Sequence, residues 1–130
     1  MRQLENRSYK MNPDETLMTI FDSKTGLLNT GGDSELLKIL IQTAAEEIPD
    51  LLVELTAALA ANENKVAQRL AHTIKGDART LGGKMTEKVA AEMEQLIGDD
   101  AIQQAIELLP ELQHQLDLMF AEMDSFEGST

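Results

Sequence analysis

Arg69-Leu70-Ala71-His72-Thr73-Ile74-Lys75-Gly76-Asp77-Ala78-Arg79-Thr80-Leu81-Gly82-Gly83 is the stretch whose reading decides the fold. Leu70, Ile74, Ala78 and Leu81 recur at helical spacing and form one apolar face, so the stretch reads as the second half of a helix. His72 lies off that face. Lys75 and Gly76 follow one turn later on the same side, and Arg69 and Arg79 extend the exposed stripe in both directions. The histidine therefore stands in a basic strip.

Gly76 is the informative residue, because a glycine inside a helix costs about 1 kcal/mol relative to alanine. Helical side chains lean towards the N-terminus, so any side chain at 76 would partly cover the surface around 72. Its absence leaves the imidazole open to approach. Lys75 leans back the same way and can set an ammonium beside an anion carried on His72. Free imidazole titrates near ~6.5, so at neutral pH most of it is the uncharged, nucleophilic form. Taken singly, a surface histidine or a glycine that allows close helix packing needs no function. A lysine three residues after the histidine, a glycine four after it and a closing Leu-Gly pair together favour a phosphoryl acceptor.

Ala71-His72-Thr73-Ile74-Lys75-Gly76, followed by Leu81-Gly82, resembles the signature of histidine-containing phosphotransfer (HPt) domains. Phe21-Asp22 and Gly31-Gly32-Asp33-Ser34-Glu35-Leu36-Leu37 resemble the usual lead-in, and the likeness covers roughly residues 21 to 123. The resemblance implies an all-α, antiparallel up-down four-helix bundle that carries a phosphoryl group between receiver-domain aspartates. His72 would be the phosphoacceptor, Lys75 would neutralise the phosphoryl charge, Gly76 would give steric access, and Arg69, Arg79 and Lys84 would dock the partner. The Mg²⁺ would belong to the receiver, leaving this chain without a cofactor or ATP site of its own. Asp77 departs from the family pattern, which has a small residue there. At the edge of the buried face it should need a hydrogen-bonding or cationic partner.

Length and composition agree with this reading. One domain is expected of 130 residues, and 42% apolar with 3% aromatic residues gives a core of Leu, Ile, Ala and Met suited to packed helices. With no cysteine the chain has neither disulfides nor thiolate metal sites. No apolar run is long enough to span a membrane, and no signal-peptide pattern opens the chain, so the reading is cytoplasmic. A net charge of -12 argues against nucleic acid. Residues 65 to 88 oppose this trend, with Lys65, Arg69, Lys75, Arg79, Lys84 and Lys88 against Asp77 and Glu87. That is +4 locally and -16 elsewhere. Acidic partners such as receiver active sites should be steered to that strip.

Working outward, Asn12-Pro13 should start a short helix to about Phe21, and a further short turn should run through Leu27 and Leu28 to Gly31-Gly32. Residues 1 to 20 are thus a linker with a short helix, 21 to 124 the bundle and 125 to 130 a tail. Asp33 or Ser34 caps a long helix whose stripe continues past Pro49, either kinked or nearly broken. The histidine helix is expected from Asn64 to Leu81, and its successor from Lys84 to Ile97, ending at Gly98. The Lys84 end should return close to His72. The last helix begins at Asp99-Asp100 and kinks at Pro110. His114, without a neighbouring lysine or glycine, reads as solvent-facing. No metal-ligand cluster and no phosphate-cradling loop is present.

Two alternatives stand beside the phosphocarrier. One is the phosphoacceptor domain of a chemotaxis-type histidine kinase, in which Phe often replaces Leu81. The other is a structural or regulatory helical adaptor, never phosphorylated, a reading that would gain if His72 were buried or hydrogen-bonded into the core through Asp77. A monomer is expected, with receiver domains and a histidine kinase of the same or another chain as partners. The linker-like start suggests excision from a hybrid sensor kinase.

Overall fold

The computed structural model describes residues 19–126, and every regular element among them is helical. The short α1 (Ser23–Asn29) leads into four long helices. These are α2 (Ser34–Ala60), α3 (Asn64–Leu81), α4 (Lys84–Gly98) and α6 (Leu109–Asp124), with the short α5 (Ile102–Glu107) between the last two. They form the antiparallel four-helix bundle that the family resemblance implies. The helix expected from Asn12 lies mostly outside the described residues.

Each long helix is placed by a local signal. Asp22 and Asp33 accept hydrogen bonds from Lys24 N and Leu36 N, capping α1 and α2. Pro49 is accommodated inside α2, which runs through it as one helix. Pro110 acts more strongly than a kink: the predicted last helix is broken at Leu108, and Pro110 sits in the first turn of α6, where its missing N–H costs nothing. Gly98 is the last residue of α4 rather than its cap, and a Cβ there would overlap the Gln68 side chain. The left-handed residue that ends the connection is Asp100, with φ 62°.

The core is the one the stripes describe, with Leu37, Ile48, Leu55, Ile74, Met93 and Met119 among its fully buried side chains. Leu36, expected within the stripe of α2, is instead 40% exposed. The turn between α3 and α4 is locked from outside by the chain that precedes α1. Asp22 N donates to Gly82 O at 2.8 Å, and Met85 N donates to Thr19 O at 3.2 Å. Phe126, which the sequence leaves without a role, meets Phe21 edge to face at 6.0 Å. Both chain ends of the described region thereby meet at the α3/α4 turn.

Candidate functional site

The site lies on the outer face of α3, where that helix packs along α4. Ala67, Leu70, Ala71, Ile74, Ala78 and Leu81 are buried. This fixes the rotation of α3 and turns His72 outward, with its side chain 64% exposed. The neighbouring helix supplies what the α3 sequence alone does not show. His72 Nδ1 lies 2.9 Å from Glu94 Oε2, and Lys75 Nζ lies 2.7 Å from Glu94 Oε1. One carboxylate thus holds both side chains.

That geometry sets the chemistry of the ring. A carboxylate accepts hydrogen bonds, so Nδ1 donates its N–H to Glu94 and the lone pair of the neutral ring is on Nε2. Partial burial raises the proton affinity of Glu94, but the hydrogen bonds from Lys75 and His72, with their charges, outweigh it and hold the carboxyl below the ordinary glutamate value. The acceptor therefore stays ionised. Glu94 is the residue that reading α3 could not find, because it comes from another helix. Its signal was present in α4: an acid ten residues after Lys84 falls opposite His72 once the helices are antiparallel.

Gly76 is open. A Cβ built on it meets nothing within 4 Å, so no close packing among the described residues explains the glycine. Arg69 is exposed one turn before His72. Arg79 is exposed too, but its Nε is engaged at 2.6 Å by Glu87 Oε2. Lys84 does not return to His72 as expected. It begins α4 and Glu94 lies ten residues on, which separates them by about 15 Å along the axis. Asp22, at the locked turn, is held below the ordinary aspartate value first by the hydrogen bond from the Thr25 hydroxyl, with the Lys84 charge a minor contributor.

Asp77 does not find the partner expected for it. Among the described residues it makes no hydrogen bond and no ion pair, and it faces Glu47 of α2 across a small cleft with Thr43 and Thr80. Partial burial, and then the Glu47 charge, push its carboxyl above the ordinary aspartate value. His72 is not linked to it. His114 is exposed on α6, as its neighbours imply. Among the described residues there is no group of three or more potential metal ligands, and no helix is long and apolar enough to cross a membrane.

The chain matches no curated protein and no solved structure. The family model for the Hpt domain matches residues 35–126, which takes in all four bundle helices but the first residue of α2. An exposed histidine in mid-helix, on an all-helical bundle with this match, places the chain in the Hpt domain family, whose members carry phosphoryl groups on histidine in phosphorelays and have no kinase activity of their own.

Proposed function

We propose that His72 accepts a phosphoryl group from a receiver-domain phosphoaspartate and passes it to the aspartate of another receiver. The observation that carries this reading is the pinned ring: Nδ1–H is held by Glu94, and Nε2 faces solvent beside the open surface at Gly76. The Nε2 lone pair attacks phosphorus, the N–P bond forms, and the acyl-phosphate P–O bond breaks to release the aspartate carboxylate. Nδ1 keeps its proton throughout, so the phosphorylated ring carries a positive charge that Glu94 faces directly. No proton has to move. In the onward step the second aspartate attacks phosphorus and the ring returns to its neutral form.

Lys75 has two parts here. Its ammonium fixes Glu94, which keeps the carboxylate aimed at Nδ1, and it adds positive charge next to the incoming phosphoryl oxygens. Gly76 leaves room for the receiver, while Arg69, Arg79 and Lys84 supply the basic field that orients an acidic partner. The Mg²⁺ belongs to the receiver and the carrier works as a monomer. A buried His72 or a link to Asp77 would favour the adaptor alternative, and the exposed ring held by Glu94 supports the carrier instead.

The test is transfer of labelled phosphate from a phosphorylated receiver to the protein and to His72→Gln. The expected label is acid-labile and alkali-stable, and it is absent from the variant. Labelling by a chemotaxis-type kinase catalytic domain, with no uptake from any receiver in a broad panel, would assign the kinase-linked role instead. A folded protein that takes label from neither donor would leave the adaptor.

A further inference from the structure

The side of the bundle away from His72 is built differently. α3 packs on α2 and α4, and α4 packs on α6, so the α2/α6 seam lies across the bundle from the α3/α4 face. It is the least closed of the four seams. Pro49 of α2 and Pro110 of α6 both line it. Between them runs a groove of about 440 Å³. Ile48, Leu52 and Leu116 line its depth, with Val53 and Phe120 beside them. Val53 is 68% exposed, a large apolar side chain left in water in the isolated chain.

The charge around this groove is one-sided. α2 carries Lys38 against five acids, and α5 and α6 carry no lysine or arginine against Glu107, Glu111, Asp117, Glu122 and Asp124. Asp117 lies in the groove itself. The cations of the described bundle are gathered instead on α3 and the first turns of α4. The two faces therefore select opposite partners: an acidic receiver surface is drawn to one and repelled by the other.

We propose that the α2/α6 groove docks a basic amphipathic helix of a partner protein. Leu109 to Phe120 is twelve residues, about 16 Å along α6 from first to last, which accommodates three turns of a helix. Apolar anchors at i, i+4 and i+7 seat against Val53, Pro110 and Phe120, and lysines or arginines on the flanks face Asp117 and the outer acids of α2 and α6. Because the groove and His72 are on opposite sides, such a partner tethers the carrier without covering the phosphoryl site.

The test uses the full-length, isotope-labelled protein and two synthetic peptides of about 18 residues, one an amphipathic Leu/Lys helix and the other its Leu/Glu counterpart. The Leu/Lys peptide is expected to shift the amide resonances of Val53, Gln113, Asp117 and Phe120 and to leave those of His72 and Lys75 in place. The Leu/Glu peptide should shift none of them. Val53→Glu is the deciding variant. It adds a negative charge, so attraction by charge alone would tighten binding, whereas loss of the apolar seat should weaken it about tenfold or more. Its far-ultraviolet circular dichroism and thermal melt should match the parent. Shifts scattered over the acidic surface with Val53→Glu binding unchanged or tighter would overturn the proposal. So would groove resonances that ignore the peptide and respond only to protein concentration, which would assign the groove to a second copy of this chain.

Discussion

Gly76 and the Gly82-Gly83 pair stand six residues apart on the same helix and its closing turn, and they are glycine for opposite reasons. At Gly82 the backbone is left-handed, with φ 92°, and a Cβ would run into the carbonyl of Asp22. At Gly83 a Cβ would run into Met119. Both are demanded from within, by the chain that locks the turn and by the core. At Gly76 the helix is ordinary and the space around it is empty. On the proposed function, a residue that weakens its own helix and relieves nothing among the described residues has its reason in the partner. The comparison separates what the fold requires from what a partner requires.

Four measurements would break or sharpen that distinction. Gly82→Ala meets both a forbidden backbone conformation and a backbone clash, and should lose about 2–4 kcal/mol in urea denaturation. Gly76→Ala should do the reverse to stability, gaining about 0.5–1 kcal/mol from helix propensity. Its phosphoryl uptake from a receiver should nonetheless fall roughly ten- to hundredfold, because the added methyl displaces the incoming group. A Gly76→Ala protein that is both more stable and fully active would refute the external reason. Glu94→Ala frees the ring and should slow transfer roughly tenfold. Stability should stay within about 1 kcal/mol, since the ion pair is at the surface.

The smallest effect concerns Asp77. Its folded-state proton affinity is raised, so the folded protein binds more protons than the unfolded chain at pH values just above the ordinary aspartate value. Stability from this group is therefore present at low pH and is lost as pH rises through that window. Asp77→Asn should remove this slope from the difference between parent and variant melts, and should be the more stable protein at neutral pH. Glu94 has the opposite sign: its lowered value stabilises the folded state above the ordinary glutamate range, and that contribution is lost as pH falls.

Much of this was legible in the chain itself. The bounds of α3, a cap at Asp33 or Ser34 and the outward face of His72 follow from periodicity and capping chemistry, which are local, and the bundle follows from the family resemblance. What was not legible depends on contacts between helices. Glu94 is an unremarked acid in α4 until antiparallel packing brings it against His72. The spacing of Lys84 from the turn gives its distance from Glu94 only once the direction of α4 is applied to it. Asp77 was expected to find a partner because a half-buried carboxylate is costly, and the fold gives it Glu47. Pro110 was readable as a disturbance, but whether it bends a helix or starts a new one is decided by how Leu108 and Leu109 pack.

His72 lies in the middle of an 18-residue helix whose inner face is fully engaged in the core. Its side chain is borne by a helix rather than a loop, and among the described residues it is left 64% exposed. On the proposed function, a reacting atom borne by this helix needs no loop to move, so the rate of transfer at low concentration should follow the frequency of encounter. It should fall in proportion to added solvent viscosity and fall again with ionic strength, as the attraction between the basic strip and an acidic partner is screened.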